Sequence, residues 1–434
     1  MGRVNSVLNN RIYGDDDRIR RLAEQYHTPT YVFDEQSIRE NCRDVKDAIT
    51  YEPRSILYAA KALTIGPILG IVLDEGCGID ASSINEVRRA RLAGAPPDKI
   101  FYTGEGATAS VYAQLVAEDI LINCTSIDQM RLLGQVGGKR CSIRINPGEG
   151  DGESTKTNTG GPSSKHGIYH TDLDQAIQLA RELGIAIIAI HSHIGSGGRL
   201  KSWLSIKDKT LALAKRLPDL QIVNLGGGLP VVYRENTDQP MPLVEWGGAL
   251  SQSMRQFSAE IGRPIELRIE PGRYLVASSG LLIAEVQAVK STAQEGDAHG
   301  YNFVIVNTGL NHNIRPSLYG AYHPIRFVPP TDAEPRLARA DYVVAGYLCE
   351  SGDVFTVAKD HTLEPREFPQ VRVGDVMVMA GVGAYSHSMK SEYNSMNLPA
   401  SVLIDRSGRA RVIERRGTLQ DVMRRELDVY SEEN

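Results

Sequence analysis

The chain has 434 residues, 41% hydrophobic and 23% charged, with a formal net charge of −5; this is the balance of an ordinary globular protein with material for two domains. The mildly acidic sum without a basic block argues against a nucleic-acid partner, no apolar run reaches the roughly 20 residues of a membrane helix, and no signal-peptide pattern opens the sequence. Five scattered cysteines, Cys42, Cys77, Cys124, Cys141 and Cys349, form no CxxC pair, which argues against a disulfide framework or a zinc site and for a reducing cytoplasm.

In chain order, 16–26 has the spacing of an amphipathic helix and 28–34 reads as a strand. Apolar runs at 55–61, 78–82, 99–104, 119–125, 140–146, 185–193, 221–225 and 265–270 then alternate with helical patterns such as 84–93, 109–117, 127–134, 172–183 and 243–261. The runs are rich in Ile, Val and Leu with little polar alternation, as in parallel strands buried on both faces. Eight such repeats predict a (β/α)8 barrel of the TIM type. From about residue 278 the strands follow one another without helices, at 281–289, 302–307, 342–347, 375–380, 401–404 and 410–414, and predict an all-β domain. A short helix at 419–427 closes the chain. The Gly- and Ser-rich stretch 148–164 is long for a connection, the mark of a binding loop or lid, and 328–335 reads as a surface turn. The expected organisation is an N-terminal segment 1–35 packing with the β domain, a barrel at 36–277, and the β domain with its closing helix at 278–434.

Chemistry on a barrel collects at the C-terminal ends of its strands, and polar residues and glycines gather there. Lys61 ends the first run. It either marks the strand's exit into solvent or supplies an amine that something uses, since burying it is otherwise costly. Asp80 ends the second run, with Glu86 one turn into the next helix, and Arg144 stands near the end of the fifth. His191 and His193 alternate along the sixth and could both face inward. No carboxylate adjoins them in sequence to complete a metal set, so no metal is expected; an imidazole lying on an aromatic cofactor is the better use of His193. Gly226, Gly227 and Gly228 either make a tight turn or leave N–H groups open to a phosphate. Ser196 and the turn from Glu270 through Gly272 to Arg273 could complete that anion pocket. Glu270 closes an apolar strand and needs a partner, whether Arg144, Arg273 or a cationic ring nitrogen. Amine, phosphate cradle, stacking histidine and ring-nitrogen carboxylate are together the requirements of pyridoxal 5′-phosphate.

Further motifs occur in fixed order: Tyr58-Ala-Ala-Lys61, Lys156-Thr-Asn-Thr-Gly-Gly161, Ser164-Lys-His-Gly167, Ile314-Arg-Pro-Ser-Leu-Tyr319, Cys349-Glu-Ser-Gly-Asp353 and Gly383-Ala-Tyr385. With these the chain resembles the fold-type III pyridoxal-phosphate decarboxylases over nearly its whole length, and the 156–167 loop and the Cys349 string resemble their diaminopimelate branch. The resemblance implies an alanine racemase/ornithine decarboxylase-like α/β fold and a homodimer with shared active sites. It also implies decarboxylation of a small amino acid, meso-2,6-diaminopimelate, to L-lysine, or alternatively of another basic or diamino acid. Lys61 would hold the cofactor covalently, His193 stack on its ring and Glu270 pair with its nitrogen. Ser196, Gly228, the backbone around Arg273 and Tyr385 would hold its phosphate, with Gly226, Gly227 and Gly272 among the cofactor-binding residues and Asp80, Glu86 and Arg144 around the ring and lysine. Arg273, Arg315, Tyr319 and Tyr385 would bind the substrate, Glu350 its distal ammonium. Cys349 would return a proton to the reacting carbon, and the family supplies Cys349 and Glu350 from the partner subunit. The sequence departs from the family pattern at Leu63, at the 104–108 loop, which lacks the usual lysine, and at Tyr393-Asn-Ser-Met396-Asn397, which lacks an Arg-Pro pair.

Overall fold

The computed structural model describes residues 3–151, 159–296, 300–331 and 336–432, with side chains as far as residue 427. The expected motif residues 156–158 and the end of the 328–335 turn lie outside these residues. The chain divides into two compact units: Met1–Asn5, Ile38–Val231 and Gln239–Leu275 in the first, and Ser6–Ser37, Val232–Asp238 and Val276–Asn434 in the second.

The first unit is a closed parallel barrel. Its strands are Arg54–Ala59, Gly78–Ala81, Ile100–Tyr102, Leu121–Cys124, Arg140–Asn146, Ala186–His191, Ile222–Asn224 and Glu266–Ile269. Closure comes from two pairings, Leu267 opposite Arg54 and Asn123 opposite Ser142. Leu57, Phe101, Leu121, Ile188, Ala189 and Ile222 form a buried cluster, so the interior is packed core and chemistry is left to the rim. The helices between strands start on side-chain caps: Ser83, Thr108 and Ser126 each accept from a backbone N–H three residues on, which satisfies a donor that the first helical turn leaves without an intrahelical partner.

The second unit is built on one long strand, Gly280–Ser291. It pairs antiparallel with Thr30–Asp34, Asn302–Val306 and Val376–Ala380. Thr30–Asp34 also lies parallel to Ala400–Ile404, which pairs with Ala410–Glu414. Tyr31, Val32, Phe33, Leu281, Leu282 and Ile283 are all fully buried, so this sheet is covered on both faces. Among the described residues no helix is long and apolar enough to cross a membrane.

Several boundaries differ from the sequence reading. The first barrel strand stops at Ala59, and a 3-10 turn, Ala60–Ala62, carries Lys61. Ala60 and Ala62 are buried but Lys61 is exposed, so desolvation does not single out this lysine. The sixth barrel strand ends at His191, so the strand pleat does not govern where His193 points. The closing helix runs Leu419–Glu432. Strands Ile325–Val328 and Arg366–Pro369 were not foreseen, because each is short and carries charged residues.

Candidate active site

The barrel rim brings most of the expected residues together. Glu270 immediately follows the last barrel strand and is buried. Asn224 Nδ2 donates to its Oε1 at 2.6 Å, and His191 Nε2 lies 3.1 Å from its Oε2. Asn123 orders this arrangement from the far side. Its Oδ1 accepts from Ser142 Oγ–H at 2.9 Å, and its Nδ2 donates to His191 Nδ1 at 3.0 Å and Thr103 Oγ1 at 3.1 Å. With Nδ1 accepting, the His191 proton sits on Nε2 and is donated to Glu270. Burial holds the imidazole below its usual pKa, so His191 is a neutral donor. Burial would raise Glu270, but His191, Asn224 and Lys61 outweigh it and hold the carboxyl below its ordinary value. The carboxylate is therefore held by two hydrogen-bond donors, with the Lys61 charge also favouring its anionic form. Neither Arg144 nor Arg273 is its hydrogen-bonded partner, against one of the sequence expectations; the partner is His191.

His193 follows two residues after the strand. Its Nδ1 accepts from Gly227 N–H at 2.9 Å, which fixes the ring and leaves Nε2 to carry the proton. Burial, with Lys61 and Arg144 nearby, pushes this imidazole well below its usual value, so it is an uncharged plate. The three glycines are required sterically. A Cβ on Gly227 would lie 2.1 Å from Glu270 O and one on Gly228 2.2 Å from Gly195 O, while Gly226 and Gly228 have φ +65° and +113°. Gly226 N–H is already given to Asn224 Oδ1 at 2.9 Å, as Gly227 N–H is to His193. The cradle expected of three N–H groups is thereby narrowed to Gly228. Beside it, Arg273 Nη2 donates to Ser196 Oγ at 2.9 Å, and Gly272 is buried just before.

Asp80 is buried, and burial first, then repulsion from Glu270, push it well above the ordinary carboxylate range. Among the described residues its buried Oδ1 has no hydrogen-bond partner. Glu86 accepts from Ser82 N–H at 2.7 Å and is raised by burial. Lys61 acts electrostatically on Asp80, Glu86 and Glu270. Arg144 is buried 3.9 Å from Glu105. Glu105 stands in the loop that lacks the family's lysine, and it takes His166 Nδ1 at 2.7 Å and Thr125 Oγ at 2.8 Å.

The other expected residues belong to the second unit. Arg315 and Tyr319 bound a one-turn helix. Arg315 is buried; its Nη1 donates to Tyr233 OH at 3.2 Å and to His323 Nε2 at 3.0 Å. His323 Nδ1 lies 2.9 Å from Ala380 O, so His323 is neutral on the side that faces Arg315. No carboxylate pairs with Arg315 among the described residues. Tyr385 is half-buried with φ 63° in the turn after Val376–Ala380. Cys349 and Glu350 are exposed.

The Cys349 loop is pinned from below by Asp353, whose carboxylate accepts from Leu348 N–H at 2.9 Å and Leu310 N–H at 2.6 Å. Burial raises this acid from 3.8 to about 6. The folded state therefore takes up a proton that the unfolded chain releases. Asp353's contribution to stability is present below pH 3.8 and lost as pH rises through about 6, a change of roughly 3 kcal/mol at most. The melting temperature of wild type relative to Asp353→Asn is expected to fall between about pH 4 and about pH 7; a constant difference would contradict the buried-acid assignment.

Sequence reasoning missed Asn123, Asn224 and the Glu105–His166 pair. A polar residue inside an otherwise apolar strand was the available signal for the two asparagines.

Residues 35–277 match the family model described as pyridoxal-dependent decarboxylase, pyridoxal binding domain. A diaminopimelate decarboxylase of Escherichia coli is 36% identical over 95% of this chain and 96% of its own length. One of Streptomyces coelicolor is 37% identical over 95% of this chain and 92% of its own. A solved diaminopimelate decarboxylase, 35% identical, superposes with TM-score 0.89 over 97% of this chain and 99% of that one. The Helicobacter pylori enzyme, solved with L-lysine, is 29% identical with TM-score 0.83 over 94% and 99%.

Proposed function

The chain belongs to the diaminopimelate decarboxylase family of pyridoxal-dependent decarboxylases, and from that premise we propose that it converts meso-2,6-diaminopimelate to L-lysine and carbon dioxide, the last step of lysine biosynthesis. Pyridoxal 5′-phosphate is the cofactor. When bound it supplies an electron-withdrawing ring that takes up the electron pair left as carbon dioxide departs.

The barrel residues fit that group, and the observation that carries the reading is the buried Glu270 carboxylate, held by hydrogen bonds from His191 and Asn224. It would hold the proton on the ring nitrogen. Neutral His193 would lie against the ring without competing for that charge. Lys61 would anchor the cofactor covalently and move protons at the reacting carbon. Asp80, with an unsatisfied buried oxygen, Glu86 and Arg144 would line the ring and lysine. Gly228, Ser196, Gly272 and Arg273 would take the phosphate, Gly226 and Gly227 shaping the turn.

Arg315 would bind the substrate's distal carboxylate together with Tyr319 and Tyr385. Among the described residues this buried guanidinium bonds a tyrosine and a histidine and no carboxylate; burial of a cation calls for a counter-charge, and a distal carboxylate would provide it. Glu350 would bind the distal ammonium, and Cys349 would return a proton to the carbon that lost carbon dioxide. Both are exposed on a tied-down loop, which suits residues presented to a second copy of the chain; we place them in the partner's site of a homodimer. The five free thiols suit a cytoplasmic enzyme.

Carbon dioxide release from meso-2,6-diaminopimelate, L-ornithine, L-lysine and L-arginine tests the assignment. Turnover is expected for the first, with the others lower by on the order of 10³-fold or more, because each leaves Arg315 without its counter-charge. Preference for a substrate without a distal carboxylate would overturn it.

A further inference from the structure

We propose that Tyr393 and Asn394 are positioning residues, a bracket that aims Cys349 and Glu350. The proposal rests on the roles given to those two residues above and goes further by naming what orients them. Asn394 Oδ1 accepts from Cys349 N–H at 3.1 Å, fixing the amide next to the thiol-bearing carbon. Tyr393 OH donates to Glu350 Oε2 at 3.2 Å, while Gly352 N–H donates to Oε1 at 3.1 Å. Both carboxylate oxygens are thus directed. The hydrogen bond to Glu350 also raises the Tyr393 phenol above its usual range, so the donor keeps its proton.

The backbone carries a second sign of constraint. Asn394 has φ 55° and ψ 25°, and Ser395 has φ 57°. Two successive residues with side chains in the left-handed region are unfavourable and persist only where surrounding contacts enforce them. Asparagine tolerates that region best among them, and here the same residue turns its side-chain oxygen onto Cys349. The loop's other side is held by Asp353 and by Ser317 Oγ–H, which donates to Gly352 O at 2.7 Å. Cys349 and Glu350 are therefore the outward middle of a loop gripped on two sides. Tyr393 is itself exposed, and water alone would not hold an exposed thiol and carboxylate in one orientation.

Three substitutions separate the parts in the holoenzyme. Asn394→Gly keeps the left-handed backbone and removes the acceptor; Asn394→Asp keeps both; Tyr393→Phe removes one hydroxyl. Asn394→Gly is expected to lower kcat about ten-fold with KM within about two-fold, and Asn394→Asp to restore most of it. Tyr393→Phe is expected to raise KM about five-fold with kcat nearly unchanged, since it loosens the group that binds substrate. Cys349 is the one exposed thiol among the five, so its iodoacetamide alkylation rate gives a readout independent of turnover; it should change several-fold in Asn394→Gly and not in Tyr393→Phe. Wild-type kinetics and alkylation in both variants would overturn the bracket. Cys349→Ser serves as the control: if it keeps wild-type kcat, the role assigned to Cys349 fails; if it is inactive while Asn394→Gly is unaffected, the bracket alone fails.

Discussion

Lys61→Ala is expected to fold normally, to lose the yellow colour of the reconstituted enzyme, and to lose turnover by on the order of 10³-fold or more. The two halves of this result have separate causes. Lys61 is exposed on a 3-10 turn whose neighbours Ala60 and Ala62 supply the packing, so truncating it removes no core and should shift stability by about 0.5 kcal/mol or less. Its amine, in contrast, is the group that would bind the cofactor covalently, and its charge acts on Asp80, Glu86 and Glu270 together. Visible absorbance, a thermal melt and carbon dioxide release measure the three consequences. A variant that stays yellow and turns over would refute the assignment.

The same variant tests the sharing of sites. Lys61→Ala and Cys349→Ala should each be inactive alone. Unfolded together and refolded in equal amounts, half the dimers are hybrids, and each hybrid has one site with an intact Lys61 and an intact Cys349. Roughly a quarter of wild-type activity should return. No recovery from a mixture that does form hybrids would mean that Cys349 serves its own subunit or no site at all.

How far such a site can be read from sequence depends on what each feature requires. The barrel was legible because its strands, such as Ala186–His191, are continuous apolar runs buried on both faces. The first half of the long strand Gly280–Ser291 and its partner Val376–Ala380 were legible for the same reason. Arg366–Pro369 was not, since only Phe368 of its four residues is buried, and its place is set by pairing with Arg339–Ala345. Glu270 and Lys61 were legible as polar residues at the ends of apolar runs. What each does with its neighbours was not. Lys61 leaves the strand on a turn that no periodicity announces. The partner of Glu270 proved to be His191, 79 positions away, and the Glu105–His166 pair joins loops 61 positions apart. Hydrogen bonds between side chains on different strands leave no spacing in the sequence to detect.

That hidden network makes Glu270→Gln the most informative second variant. Its expected effect is a fall in kcat on the order of 10² to 10³-fold, the loss that follows when one charged contact to the reacting system is removed in a site shielded from water. Ser142 Oγ–H donates to Asn123 Oδ1, Asn123 donates to His191, and His191 donates to Glu270. Asn224 donates to the other carboxylate oxygen. The hydrogen bonds to Glu270 come from a histidine and an amide rather than from an arginine or lysine, which leaves its carboxylate to face a ring-nitrogen proton. A glutamine keeps the shape and one acceptor but presents an NH2 to one of those donors. One donor is then buried without an acceptor, which costs about 1–3 kcal/mol of stability. The variant should therefore melt lower than wild type as well as turn over slowly. His191→Gln would separate the two effects: it disturbs the donor chain and leaves the carboxylate charge in place, so its kcat should fall much less than that of Glu270→Gln for a comparable loss of stability. Equal losses of kcat in the two variants would show that the network acts only as structure and that the Glu270 charge has no part in the chemistry.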